Sequence, residues 1–568
     1  MSVKLKKTDV VIVGLGAAGG YASLTLARAG LDVVGLEAGP RWKPQDFPMD
    51  ELRNDVRNVM SQPKAAKEVP TWRPNPSVKA TQTGGIRILM MNGVGGSSIH
   101  YGMEQWRYLP WNFRTRSETI KRYGASMIPA GSTVVDWPIG YEDLEPYYDK
   151  VEYDMGVSGK AGNLKGKKVP GGNVFEAPRT REYPLPPLRR SGWNELTAAA
   201  AKRLGWHPFP GPAAIRSRAY NGLPACQYCG FCTFNGCMAE AKGSTDVGPI
   251  ARAEKTGHLK VVPLARVTKI EVGKDGRASG VTYVKGRKSY FQPASVVVLA
   301  TYVYENTRLL LLSKSKAFPN GLSNNHGQVG KHYISHMYGG ANGLFPGKQL
   351  NRFSGPGAQR TSVDDWNADN FDHKGLGFIG GGVIDSRMEN KPISAARSTP
   401  PSVPRFGSAW KEWLHKNANS VGDAGAQIES LPYEDNFADL DPEVRDAFGL
   451  PVLRVTFDLH DQEKARHAFV TAKAEQLLKE AGASETWPQF PAVPIAVNSH
   501  AYGTTRMGDD PETSVVDKWL MSHEVPNLAI LGGSTFPTST AYNPTHTIEA
   551  LAWRTGDHIV KSWKAIVA

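Results

Sequence analysis

Apolar and polar residues alternate along this chain in two periods, and each period marks a different kind of element. Asp9 to Val13 is a short β-branched apolar run, the pattern of a strand buried on both faces. From Tyr21 to Ala29 the apolar spacing is helical, and Leu31 to Leu36 returns to a strand that ends in Glu37. The same grammar recurs later in the chain. Leu259 to Val272, Gly280 to Val284 and Pro293 to Ala300 read as strands, and Asn306 to Leu312 as a helix. Pro526 to Leu531 is a further buried strand, and Thr547 to Trp563 an amphipathic closing helix. Tyr141 opens a helix with an acidic first turn. Asp46 to Thr83 is polar and Pro-interrupted, a long excursion with few periodic signals. Residues 335 to 490 alternate short strands with loops rich in Gly, Pro and Asn, as an antiparallel sheet would. The pattern predicts an α/β fold (α+β overall), with a Rossmann-like half and a second half built on an antiparallel sheet.

What joins the first strand to the first helix is Gly14-Leu15-Gly16-Ala17-Ala18-Gly19, a G-x-G-x-x-G turn. Gly14 permits the tight turn, Gly16 lets a pyrophosphate approach the backbone, and Gly19 lets the helix lie close on the strand. The helix N-terminus adds amides and the positive end of its dipole. Glu37 stands where a carboxylate can accept from ribose hydroxyls, which argues for a dinucleotide without a 2′-phosphate. A second glycine-rich turn runs from Gly93 to Gly102 and could hold a flavin edge with its amides.

The chain has 568 residues, 40% of them hydrophobic, enough for two domains and a large core. Its net charge of +13 is scattered, with small clusters at residues 4–7 and 165–168. Without a basic stripe interleaved with aromatics, nucleic acid is not an expected partner. The longest apolar runs are strand-length, so no transmembrane segment is expected. The first strand follows Met1 to Lys7 at once, leaving no room for a cleavable signal, so synthesis and folding are expected to be cytoplasmic.

The 4 cysteines, Cys226, Cys229, Cys232 and Cys237, are spaced C-x2-C-x2-C-x4-C. Disulfides are disfavoured in so short a segment without a signal peptide. Structural zinc usually takes two C-x-x-C pairs separated by a longer loop. A tight three-thiolate run plus one more is closer to iron–sulfur ligation, either 3Fe–4S or 4Fe–4S.

These pieces together resemble the glucose–methanol–choline (GMC) flavoprotein oxidoreductases over nearly the whole length. The resemblance rests on GLGAAGG with LEAGP, GVGGSSIHYG, DWPIGYEDLEPYYDKVE, VVVLATYVYENTRLLLLS, VGKHYISH, NSHAYGTTRMG and PNLAILGGSTFPTSTAYNPTHTIEALA. With the cysteine run and SVVDKWL it narrows to large subunits of the bacterial gluconate, fructose, glucose and glucoside 3-dehydrogenase type. Ala300-Thr301-Tyr302 departs from the usual Ala-Ala-Gly or Ala-Gly-Gly.

The resemblance implies FAD held by Gly14, Gly16, Ala17, Ala18, Gly19, Glu37, Ala38, Gly93, Gly95, Gly96, Ser97, Ser98, His100, Val267, Ala300, Gly533, Ser534, Asn543, Pro544 and Thr545. It implies His500 as the catalytic base and Asn543 as the partner that orients the hydroxyl, with His546 the nearby alternative that the N-P-x-x-T pattern sets aside; His336 and His332 match less sharply and read as core or loop residues. His100 lines up with a histidine that carries covalent flavin in some relatives, against the alternative of simple packing beside the ring. A domain split follows: 1–135, 225–330 and 495–568 for FAD, 136–224 and 331–494 for the substrate cap. The expected activity is dehydrogenation of an alcohol on a sugar, glycoside or sugar acid, with electrons passing through the cluster to a cytochrome c-type acceptor. A small companion subunit is implied, and with it periplasmic residence by co-export. The alternative is an oxygen-using oxidase whose cysteines bind a structural metal.

Overall fold

The computed structural model describes residues 2–82 and 90–568. Its nucleotide half is built on a sheet whose centre is parallel. Strand Thr8–Val13 lies between Val33–Leu36 and Lys288–Leu299, with Leu259–Val262 beyond the former and Leu528–Ile530 pairing with the latter. Val10, Val11, Ile12 and Val296 to Leu299 are fully buried. Each such side chain contributes about 1.5–3 kcal/mol of transfer free energy, which is why the run has no polar face. Helix Ala17–Arg28 follows the first strand and packs against the closing helix Thr545–Lys561, where Tyr21 stacks on Trp553 at 5.4 Å. Gly14 is the pivot: at φ +88° a β-carbon would stand 2.6 Å from the Ala300 carbonyl oxygen.

The second half carries a six-stranded antiparallel sheet, in the order Glu485–Pro488, Met337–Leu344, Val421–Ile428, Gly382–Arg387, Arg360–Val363, Phe209–Pro210. One face packs on helix Asp461–Glu480, burying Ala424 and Ile428 among Val470, Ala474, Leu477 and Leu478. The strand pattern expected over residues 335 to 490 therefore omits a 20-residue helix. Its apolar stripe sits in a strongly charged sequence, and only the sheet it covers reveals that stripe as a core face. Two other strands of that stretch, Phe437–Arg445 and Pro451–Thr456, pair instead with Thr71–Arg73 and Thr81–Gln82 in a separate sheet. The excursion is thus partly ordered by strand pairing; its expected end, Thr83, lies outside the described residues.

Among the described residues no helix is long and apolar enough to cross a membrane.

Candidate active site

A cavity of about 790 Å³ runs from the first glycine turn to the cap sheet. Of the residues expected to hold FAD, Gly14, Gly16, Ala17, Ala18, Glu37, Ala38, Gly96, Ser97, Ser98, His100, Val267, Ala300, Gly533, Asn543, Pro544 and Thr545 line it. Gly19, Gly93, Gly95 and Ser534 do not; they hold the walls. Gly19 lies against the Gly14 carbonyl, Gly93 under Trp42, and Gly95 against Ile99 and Asp246. The Ser534 hydroxyl accepts from Asn306 Nδ2 at 2.9 Å, and Asn306 also bonds Leu531 and Thr301, clamping two parallel strand ends together.

This cradle fits a dinucleotide on steric grounds. The two glycine turns touch: a β-carbon on Gly96 would lie 2.7 Å from Gly16 Cα. Glu37 is more than a ribose ligand. Its carboxylate accepts from the amides of Leu15 (3.1 Å), Gly39 (2.8 Å) and Gly93 (3.0 Å), pinning both turns. Burial pushes its pKa up while those amides pull it down. Oε2 accepts only one of the three, which leaves it room for a ribose hydroxyl. Tyr302, where the family has glycine, takes the left-handed φ of +78° that glycine would favour. Its hydroxyl donates to the Asn498 carbonyl, so the strained residue is tied to the segment carrying His500.

At the other end of the cavity His500 and Asn543 meet, with Asn543 Nδ2 3.4 Å from His500 Nε2. Asn543 Oδ1 accepts from Trp106 Nε1 (3.0 Å) and from Gln427 Nε2 (3.1 Å). Two donors on one atom fix the amide's orientation and turn its NH2 toward the histidine. The tautomer of His500 follows by the same accounting. His336 Nε2 contacts the Thr540 carbonyl, which can only accept, so that nitrogen carries the proton and His336 Nδ1 is an acceptor. His500 Nδ1, 3.1 Å away, then donates to it, and His500 Nε2 is left with its lone pair. Burial, reinforced by the Arg387 charge, lowers the His500 pKa to about 4, and burial with the neighbouring His500 also keeps His336 neutral. The site therefore holds an unprotonated imidazole nitrogen beside an amide donor, the pair needed to accept and position a hydroxyl proton.

Sequence reasoning placed His500 and Asn543 but gave His336 a core or loop role; it is buried and also the positioning partner of the base. Tyr338, 3.2 Å from His500 Nδ1, was missed, as were Trp106 and Gln427. None carries a motif. The strand register Tyr338↔Gln427 is what brings two of them to the site. His332 bonds the Thr133 hydroxyl instead, and His546 the Tyr148 carbonyl.

The cysteine segment lies alongside the second glycine turn. Phe234 N donates to the His100 carbonyl at 2.9 Å, and buried Lys242 Nζ bridges the carbonyls of Ile99 and Cys232, each at 2.8 Å. Cys232 is buried, Cys226 and Cys237 are half-buried, and Cys229 is exposed. The expected iron–sulfur ligation is not assembled: among the described residues no three His, Cys, Asp or Glu side chains form a metal-holding group.

Comparison with known proteins agrees with this geometry. The GMC oxidoreductase family profile matches residues 131–338 in its N-terminal part and 432–552 in its C-terminal part. The gluconate 2-dehydrogenase flavoprotein of Pantoea cypripedii is 33% identical over 97% of this chain and 93% of its own length. The fructose dehydrogenase large subunit of Gluconobacter japonicus is 29% identical over 99% and 100%. Pyridoxine 4-oxidase from Mesorbium loti, at 17% identity, shares the fold with a TM-score of 0.62 over 97% of this chain and 99% of that one. With the glycine cradle, the base and its amide partner in one cavity and these matches spanning the chain, the protein belongs to the GMC oxidoreductase family, flavoproteins that use FAD to act on CH–OH donors.

Proposed function

We propose that this chain is a dehydrogenase that oxidises one hydroxyl-bearing carbon of a sugar, glycoside or sugar acid and passes the electrons to an external acceptor. The observation that carries this reading is the pairing of His500 Nε2 with Asn543 Nδ2 at 3.4 Å on the cavity wall. A substrate hydroxyl placed between them gives its proton to the imidazole and accepts from the amide. FAD, when bound, supplies the hydride acceptor. His336 and Tyr338 hold the imidazole in the basic tautomer, and Trp106 and Gln427 hold the amide. Orientation of this kind is worth several kcal/mol of barrier.

The finer parts of the proposal concern the flavin link and the electron exit. His100 lines the cavity and would be the point of any covalent flavin link. The cysteine segment bonds the same turn, which supports it as the exit, and Cys226, Cys229, Cys232 and Cys237 are the thiols that would hold an iron–sulfur cluster there. The name of the fructose dehydrogenase large subunit supports a companion subunit here too, and we propose a cytochrome c-type acceptor beyond it.

The test is anaerobic reduction by a sugar panel, followed by visible spectroscopy, dye-acceptor turnover and iron and sulfide analysis. Substrate bleaching of the flavin, fast dye reduction and slow peroxide release are expected. Rapid peroxide release with no gain from dye would make the protein an oxidase, and absence of iron and sulfide would remove the cluster. Flavin remaining soluble after acid precipitation would exclude the covalent link.

A further inference from the structure

We infer that the substrate is an uncharged, polyhydroxylated sugar or glycoside, recognised by a row of hydrogen-bond acceptors on the cap sheet, and not an aldonate. This rests on the proposed function and narrows it. The central strand Val421–Ile428 turns Asp423, Gly425 and Gln427 to one face and Ala424 and Ile428 to the helix-covered core. Its neighbours bring Tyr338 opposite Gln427, and Asp385 opposite Gly425. Asp423, Gly425, Gln427, Tyr338 and Arg387 all line the cavity beside His500, and Gln489 reaches in over Gly425.

On this face the polar atoms without a hydrogen-bond partner among the described residues are mostly acceptors. Asp423 Oδ1, Gln427 Oε1 and Gln489 Oε1 are all buried and unmatched, against two donors, Arg387 Nε and Arg360 Nε, of which the second faces the Asp385 carboxylate at 3.5 Å and does not line the cavity. The Gln427 amide cannot simply flip, because its Nε2 is engaged with Asn543. Buried acceptors left unmade are costly, so the ligand that belongs here brings donors. Sugar hydroxyls do; an aldonate has hydroxyls as well, but its carboxylate brings only lone pairs and would meet these acceptors uncompensated.

The charges agree. Arg387 pairs with Asp385 and Glu104, Arg360 with Glu104 and Asp385, and Arg352 with Asp423. At the cap sheet three arginines face three carboxylates, which leaves that face no surplus cation for an anionic substrate; Arg397, which also lines the cavity, stands on helix Pro392–Arg397 and not on the sheet. A β-carbon on Gly425 would stand 3.2 Å from Gln489 Oε1, so the glycine is what lets that amide oxygen lie against the sheet face. In this respect the chain departs from the relative named for gluconate.

The test compares kcat/KM of the flavin-loaded enzyme, with a dye acceptor, for glucose and methyl glucoside, for gluconate and for 1,2-propanediol. The same ligands are titrated by calorimetry into the His500→Ala protein, which cannot consume them. The uncharged sugars should exceed gluconate at least tenfold in both measurements. Asp423→Ala should lose about tenfold for the sugars and far less for the diol, which is too small to span the row. Gluconate equal to or better than the sugars would overturn the inference and leave the dehydrogenase reading intact. A flavin that no member of the panel bleaches would remove both. Should Asp423→Ala fold poorly, Gln489→Ala carries the same comparison from outside the sheet's ion pairs.

Discussion

The two ends of the cavity are made in opposite ways. At the nucleotide end the contacts come from backbone: two glycine turns in mutual contact, a helix N-terminus, and a carboxylate that accepts three amides. At the substrate end they come from side chains on strands far apart in sequence, brought together by register. A backbone site depends on what a residue lacks, so it fails when a side chain is added. A side-chain site depends on what each residue carries, so it fails in graded steps as groups are removed.

The largest expected effect would break the first half of that contrast. Gly96→Val puts branched carbon where even a β-carbon is 2.7 Å from Gly16 Cα, at a φ of +55°. The folded protein should purify nearly colourless, with flavin content and activity both lost; full flavin occupancy would show that the turns are not the cradle. Next, His500→Ala should keep its flavin and lose about 10²–10⁴ in kcat, the range expected for a general base. Stopped-flow flavin reduction measures it directly, and a loss below tenfold would take the base role away from His500.

Smaller effects test the graded side. Trp106→Phe removes one of two donors to Asn543 Oδ1. A buried hydrogen bond worth about 1–1.5 kcal/mol should cost about five- to tenfold in kcat, with flavin content unchanged. The smallest concerns pH. His500 must be neutral to accept a proton, and its pKa is held down to about 4, first by burial and then by Arg387. Activity should therefore persist well below pH 6 and fall as pH drops through about 4. Arg387→Met removes the repelling charge and should shift that acid limb of kcat/KM upward; an unmoved limb would separate Arg387 from the base.

How much of this was legible in the sequence follows the same division. The strand–turn–helix around Gly14 is local, and each glycine has a reason that sequence spacing already contains. His500 and Asn543 were legible only through resemblance, since a lone His or Asn has no spacing to betray it. Gln427, Tyr338 and Trp106 were not legible at all. Their roles depend on which atoms of Asn543 and His500 remain free, and that depends on the partners each finds. Glu37 shows a subtler gap: its position was legible, its work as a clamp between two turns was not.

The sequence alone determined what is set by short-range sterics and composition: the parallel strands, the glycine cradle, the closing helix and the thiol spacing. Tertiary structure decided the rest. It folded 461–480 into a helix over the cap sheet, set the tautomer of His500 through His336, and left a row of acceptors unmatched on one sheet face. The reason is physical: a β-strand's side chains acquire meaning only from the strand opposite, and no local pattern states which strand that is.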